Sequence, residues 1–515
     1  MAERAAKAIF GVAGILLVSR LLGFFREVVI ADVFGTTARY DLYLVAVMLP
    51  ALLYGVLNFA SVYLFVPYFS RRTEKTESGE TEVSWTAVWP AVNLAALISA
   101  VLVILMIALA PLVMKIWGGH YLGDDFGRIV LYCRLTAVMV LLGTTEAFMR
   151  AYLNVRRIFT YPAAGYIVYN VFCIAAIVVL HDRLSVGAIV VGLLGGLLVQ
   201  NVYLLMKVLS FKPFEKFVRK VSDSDTKALL AAGGIIILIE LINRSYFLID
   251  RYVAPQFGEG VISALNYGQV LIQLPDSIIG LAIGAVVFPM FSQVSGEAQN
   301  RRFGDVYQKA VAGAMLVAIP IAVFYLINAE DLVSLLFRRG QFDRASVAMT
   351  AGILRPYAPS IVALFVISTS IRACYSGGWG KYVLAFTVVV FATKFVGTFV
   401  LPGFFGYAGI TAATATAHVS FAALMLIFLT LKVPATDTVR FVWNVVMLLL
   451  TGVVAGLAGN HFNGFIAGYS GGSGYQHVLA RLALSGAFLV VLYWLGLHFM
   501  GLKGLYREFF RRRRD

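Results

Sequence analysis

Charge is what this sequence has least of. Only 13% of its 515 residues are Asp, Glu, Lys or Arg, while 60% are hydrophobic. A soluble domain carries about 25% charged residues, so a water-soluble globule is excluded and a polytopic membrane protein is implied. Cysteine is scarce as well. Cys133, Cys173 and Cys374 each fall inside an apolar run and have no metal-ligand spacing. They read as small core hydrophobes, which excludes a disulfide framework and a zinc site. No HExxH, no Gly-x-x-x-x-Gly-Lys phosphate loop and no CxxC occurs. No segment between the apolar runs is large enough to hold a nucleotide-binding domain. Covalent catalysis, an integral ATP motor, a metal and a cofactor are therefore not expected.

What is present is a series of long apolar runs. Windows of the ~20 residues needed to cross a bilayer give about fourteen spans. The first, from Ile9 to Asp32, leads directly into a second, so no cleavable signal peptide is expected. The net charge of +15 would suggest a nucleic-acid partner in a soluble chain. Here the basic residues sit in short loops between spans, where they set topology, and no nucleic acid is expected. Placing both termini inside puts Arg71, Arg72, Arg156, Arg157, the Lys207 to Lys227 cluster and the tail REFFRRRRD on the cytoplasmic face. The inside loop SRRTEKTESGETEVSW reads as charged, polar and mobile.

An internal repeat divides the chain. Arg20 recurs as Arg244, Phe34-Gly35 as Phe257-Gly258, Leu49-Pro50 as Leu274-Pro275, and Arg150-Ala151 as Arg372-Ala373. All lie at offsets between 221 and 225 residues. Each half has an even number of spans, so both share one orientation. That predicts a pseudo-two-fold axis along the membrane normal and a central cavity between lobes. The expected layout is all-α: a six-helix lobe over 1–212, a cytoplasmic linker over 213–225, and a second six-helix lobe over 226–433. Two additional transmembrane helices over 434–502 and a basic cytoplasmic tail over 503–515 complete it.

The ionisable residues inside the spans are the candidates for function, because each costs at least ~2.5–3.5 kcal/mol to insert and so needs a partner or a wet cavity. They include Arg20, Arg26 and Glu27 in the first span, with Asp41 opening the second. Glu146 and Arg150 follow in the fourth, Glu240, Arg244, Asp250 and Arg251 in the seventh, and Lys394 in the eleventh. Cations outnumber acids, which suits an anionic, phosphate-bearing substrate gripped by guanidinium forks. Glu146–Arg150 and Glu240–Arg244 have i,i+4 spacing and serve equally well as neutral structural pairs. Arg134, Arg150, Arg355 and Arg372 lie near span ends and are expected to snorkel. Glu240 and Lys394 both fall about 20 Å from the inner boundary at ~1.5 Å per residue. A pair between Lys394 and Glu240, or Asp250, is therefore expected.

The stretch SRLLGFFREVVIADVFGTTARYDLYLVAVMLP, from Ser19 to Pro50, resembles the opening of the MurJ (MviN) lipid II flippases. FVPYFSR resembles the end of that family's second span, and ALNYGQVLIQLPDSIIGLAIGAVVFPMFSQ its eighth span. The resemblance covers nearly the whole chain. It implies the multidrug/oligosaccharidyl-lipid/polysaccharide exporter superfamily, alternating access between two lobes, and cavity positions for Arg20, Arg26 and Asp41. It also implies a bacterial inner-membrane protein among membrane lipids, with cell-wall or polysaccharide synthases as candidate partners; a monomer is expected. The chain departs from the family where an arginine pair follows Pro50, reading Tyr54-Gly55, and where Tyr-Ala-Asp-Arg is replaced by Tyr267-Gly268-Gln269-Val270. The expected function is a non-enzymatic flippase for a polyprenyl-pyrophosphate-linked sugar resembling lipid II. The last two spans would offer a greasy track for the lipid tail. The alternative cargo is another lipid-linked oligosaccharide, such as an exopolysaccharide repeat unit. A cation antiporter is disfavoured by the excess of arginine, and a membrane glycosyltransferase by the small outside loops.

Overall fold

The computed structural model describes residues 2–75, 81–121, 123–211, 218, 234, 237–292, 301–469 and 474–500. Apart from Val218, the expected linker over 213–225 lies outside the described residues, as does the tail over 503–515. Eleven helical segments among the described residues are long and apolar enough to cross a bilayer. Two further helices, α1 (Ala2–Phe34) and α11 (Val261–Ser292), run 33 and 32 residues. The seventh expected span, near Leu241, is described from residue 237 onward. Apart from one short pair of strands, the chain is a helical, multi-pass membrane protein.

Packing divides it into two compact units, 1–252 and 253–515. The division falls after the seventh expected span, whereas the sequence reading puts the linker before it. Residues 237–252 stay with the first unit because Trp117 Nε1 donates to the Leu248 carbonyl and Arg251 Nη1 to the Leu44 carbonyl, both at 2.8 Å.

In the N-terminal unit, α2 (Ala38–Ala60) runs through a wider i→i+5 turn at Ser61–Phe65 into the short α3 (Val66–Ser70). Pro67 has no N–H to donate, so the helix widens just ahead of it. Ser61 Oγ uses the bend to donate to the Ala147 carbonyl at 2.9 Å. Within the loop expected to be mobile, β1 (Thr73–Lys75) pairs antiparallel with β2 (Thr81–Val83). Thr and Val suit strands, and Val83 is buried in a cluster with Phe65, Phe69, Phe148 and Tyr152. Then follow α4 (Trp85–Gly118), α5 (Gly123–Thr136), α6 (Val138–Val155), α7 (Thr160–Leu184) and α8 (Gly187–Leu209). Residues 237–244 form α9, and α10 (Tyr246–Val253) closes the unit.

The helices α7 and α8 cross closely because α8 presents Gly192 and Gly196, a small-xxx-small pair that lets backbones approach. Cys173 Sγ donates to the Gly192 carbonyl at 3.1 Å. A Cβ at Gly196 would sit 2.9 Å from the Tyr169 carbonyl oxygen and 3.1 Å from Cys173 Sγ.

The second unit continues with α12 (Arg301–Ile327), α13 (Ala329–Phe337), α14 (Arg344–Tyr357) and α15 (Pro359–Ser376). After these come α16 (Gly380–Val400), α17 (Pro402–Phe405), α18 (Ala408–Lys432), α19 (Thr438–Tyr469) and α20 (Tyr475–Phe499). Asp343 caps α14 by accepting from Ser346 N–H at 2.8 Å and from its hydroxyl at 2.9 Å. Those bonds favour the ionised form and hold the Asp343 carboxyl below its ordinary range. Along α19, Gly456 and Gly459 lie against Val323 and Ile327 of α12. Arg481 of α20 grips Asp331 of α13 with a bidentate fork, at 2.6 and 3.0 Å.

Gly196 and Gly14 differ sharply in the space around them. Gly196→Leu should lower the thermal stability of the purified protein by about 1–3 kcal/mol, the usual cost of overpacking. Gly14→Ala meets nothing within 4 Å, so its melting temperature should match or exceed that of the parent. A Gly196→Leu protein that melts like the parent would contradict the close α7–α8 crossing.

Candidate functional site

The N-terminal unit gathers most of the predicted intramembrane charges into one polar seam, ordered by α7. This helix carries Tyr166, Tyr169 and Asn170 at a spacing that keeps them on neighbouring faces. Against them α1 brings Arg26, whose Nε and Nη2 donate to Glu27 Oε1 at 3.3 and 2.7 Å. Its Nη1 donates to Asn170 Oδ1 at 3.1 Å, and its guanidinium lies 5.5 Å from the Tyr169 ring centre. The Arg26 side chain remains 23% exposed. These contacts fix the plane of the guanidinium while leaving N–H groups on both terminal nitrogens for a ligand.

A second cluster joins α2, α6, α7 and α8. Glu146 is fully buried and accepts from Tyr54 Oη at 2.8 Å, Gln200 Nε2 at 2.9 Å and Arg150 Nη1 at 3.3 Å. Arg150 also donates to Asn58 Oδ1 and lies 4.8 Å from the Tyr166 ring centre. Tyr166 Oη donates to the same Asn58 oxygen at 3.3 Å, and Asn170 Nδ2 to the Tyr166 carbonyl at 2.9 Å. The two clusters are therefore continuous through α7. The expectation that Arg150 snorkels is corrected here: its side chain is only 13% exposed. A carboxylate one turn earlier and the amide of Asn58 hold its Nη1 within the protein, while its buried Nε has no hydrogen-bond partner among the described residues.

The third part is the Glu240–Arg244 pair of α9, an i,i+4 contact of Arg244 Nε with Glu240 Oε1. A Cβ at Gly55 would overlap the Arg244 guanidinium. The glycine standing where an arginine was expected thus makes room for an arginine from another helix.

The remaining candidates are placed differently. Arg20 is exposed and has no hydrogen-bond or ion-pair partner among the described residues. Asp41 is buried in the first turn of α2, where a carboxylate suits the helix dipole. Asp250 is half-buried on α10. Lys394 is fully buried on α16, donating to Thr414 Oγ1 at 2.6 Å and to the Ile410 carbonyl at 3.2 Å. Glu240 is held by Arg244 on its own helix, and Lys394 by Thr414 and Ile410 of α18. Sequence reasoning missed Tyr54, Asn58, Tyr166, Asn170 and Gln200, all neutral. Their signal was polarity inside apolar spans, at i,i+4 spacing for Tyr54–Asn58 and Tyr166–Asn170.

The buried pair sets a test of coupling. Removing one partner of a buried ion pair typically costs about 3–5 kcal/mol, because the other charge is left uncompensated. Glu146→Gln and Arg150→Met should each destabilise the protein by roughly that amount, and the double variant by clearly less than the sum. Melting or denaturant titration of the four proteins measures this, and strict additivity would contradict the pairing.

Comparisons with known proteins bear on the family and the fold. The family model described as "Lipid II flippase MurJ" matches residues 30–473. A lipid II flippase MurJ of Burkholderia cenocepacia is 25% identical over 536 aligned residues, covering 98% of this chain and 99% of that one. A probable lipid II flippase MurJ of Bdellovibrio bacteriovorus is 27% identical, covering 72% of this chain and 70% of its own. Among solved structures, a lipid II flippase MurJ in an inward closed conformation has a TM-score of 0.77 at 19% identity, covering 98% of this chain and all of that one. An inward-facing multidrug resistance MATE family transporter of the MOP superfamily has a TM-score of 0.65 at 13% identity, covering 82% of this chain and 98% of that one. At such identities the structures speak for the fold alone, but the family model spans most of the chain, and the chain belongs to the lipid II flippase MurJ family.

Proposed function

We propose that this protein flips a polyprenyl-pyrophosphate-linked sugar across the bacterial cytoplasmic membrane by alternating access, with lipid II as its cargo. The observation that carries the reading is Arg20, an exposed guanidinium on a membrane helix with no hydrogen-bond or ion-pair partner among the described residues. An ionisable group on a membrane span is costly without a partner. A pyrophosphate is the partner whose geometry fits a guanidinium fork. Arg26, fixed in plane by Glu27 and Asn170, supplies a second fork on the same helix.

Arg26, Arg150 and Arg244 each pair with a carboxylate, and Arg251 donates to the Leu44 carbonyl, so the seam is a scaffold that holds guanidinium groups in place. Binding and release of an anion then require no covalent step, and the protein acts as a transporter rather than an enzyme. An organic cation would meet arginine on this face, which disfavours the antiporter reading despite the shared fold. Tyr54 and Gly55, standing in place of an arginine pair, leave room for Arg244, whose guanidinium returns positive charge to that position. This favours lipid II over a glycan with fewer anionic groups. The apolar surfaces of α19 and α20, with Val439, Leu457 and Phe499 exposed, suit contact with acyl and polyprenyl chains. The basic loops favour a cytoplasmic location for both termini, and the protein acts as a monomer beside cell-wall synthases.

Charge-assisted hydrogen bonds contribute about 1.5–3 kcal/mol each. Arg20→Ala with Arg26→Ala should therefore lower lipid II flipping in reconstituted vesicles at least tenfold while the protein still inserts. Arg26→Lys should retain only part of the activity, since it keeps the charge but loses the fork. Normal flipping by a well-inserted double variant would overturn the reading.

A further inference from the structure

A second concentration of arginine lies away from the seam, at the end of the N-terminal unit where α1 finishes and α2 starts. There the α1–α2, α4–α5 and α7–α8 connections enclose a pocket of about 380 Å³. Its walls carry Arg39 from the start of α2, Arg128 from α5 and Arg183 from the end of α7, with a single acid, Asp125. Arg128 and Asp125 form a loose, exposed pair at 3.5 Å. Arg39 and Arg183 have no hydrogen-bond or ion-pair partner among the described residues. Two free guanidinium groups thus face one concavity, and the lining has an excess of positive charge.

The backbone adds to the same polarity. Both α2 and α8 begin at this pocket, and neither N-cap, Thr37 nor Val186, makes a side-chain capping bond. Thr37 turns its hydroxyl away, donating to the Phe34 carbonyl at 2.9 Å. Helix starts of this kind present N–H groups and a partial positive charge to an anion. Ser185, in the lining, holds φ at 50°, a conformation costly for a residue with a side chain. Gly187 has no side chain, and a Cβ there would lie 3.3 Å from the hydroxyl of Tyr132, which also lines the pocket. A hydrogen-bonding phenol is thereby seated at the start of α8.

We propose that this pocket binds a phosphate-class anion, either a free phosphate or the phosphodiester headgroup of an anionic lipid, at the membrane boundary. Arg39 and Arg183 hold the anionic oxygens through guanidinium forks, with the phenol of Tyr132 and the starts of α2 and α8 completing the site. Asp125 keeps Arg128 in reserve and limits the net charge. Leu184, exposed and apolar beside Arg183, gives a glycerol-linked acyl chain a surface to rest on. This site is independent of the seam and of its cargo.

Calorimetric titration of the purified full-length protein tests it, using inorganic phosphate, dihexanoyl phosphatidylglycerol and dihexanoyl phosphatidylcholine as probes. Saturable binding of phosphate or of the phosphatidylglycerol, weakened at least tenfold in the Arg39→Gln/Arg183→Gln variant, supports the proposal. Binding of both identifies a site open to free phosphate, and binding of the phosphatidylglycerol alone identifies a lipid-headgroup site. If neither binds, if the phosphatidylcholine binds equally well, or if the double variant binds like the parent, the proposal is wrong. Should the variant not fold, phenylglyoxal labelling of the parent decides. Slower modification of Arg39 and Arg183 with the probe present supports the site, and unchanged rates overturn it.

Discussion

The constraint on which the N-terminal unit depends is that a guanidinium inside a bilayer must be answered. Leaving one without a partner costs at least ~2.5–3.5 kcal/mol on insertion scales. The protein answers Arg26 with Glu27, Arg150 with Glu146, and Arg244 with Glu240. In each case the acid is adjacent or one helical turn away, so the pair forms within its own helix and is carried as a unit. Neutral side chains then join the units across helices: Asn170 reaches Arg26, Asn58 reaches Arg150, and Gln200 and Tyr54 reach Glu146. Among the described residues, Arg20 alone of these cations has no hydrogen-bond or ion-pair partner and is left to solvent or ligand.

Such a seam needs helices close enough for short amides to span the gap. Glycine provides that closeness at several points. Gly196 and Gly192 bring α8 onto α7, and Gly55 admits Arg244 to the surface of α2. In the second unit Gly456 and Gly459 bring α19 onto α12. Apolar burial gives little drive between helices already in lipid, so close packing and hydrogen bonds carry association there. The same glycines that permit packing therefore position the polar groups that function requires.

Much of this was legible in the residues alone. The span pattern, the scarcity of charge and the Ser19–Pro50 stretch pointed to the all-helical architecture and the family. The i,i+4 pairs Glu146–Arg150 and Glu240–Arg244 were visible as spacings. What was hidden depended on contacts between distant segments. Arg150 looked like a snorkelling residue because its sequence neighbours do not reveal Asn58 and Tyr166 beside it. Gly55 looked like the loss of a cation because nothing local shows Arg244 arriving there. The pairing of β1 with β2 was hidden by the charged residues around it, although Val83 gave it an anchor. Arg39, Arg128 and Arg183 are far apart in sequence, and only the meeting of three connections makes them neighbours.

The central claim is that guanidinium groups of the N-terminal unit recognise a pyrophosphate rather than the sugar or the lipid tail. Native mass spectrometry of the purified protein, offered equal amounts of lipid II and the same glycan on an uncharged polyprenol, measures this directly. The account predicts selective retention of lipid II, with the preference lost in Arg20→Ala/Arg26→Ala. Equal retention of the two lipids by the unaltered protein would contradict it.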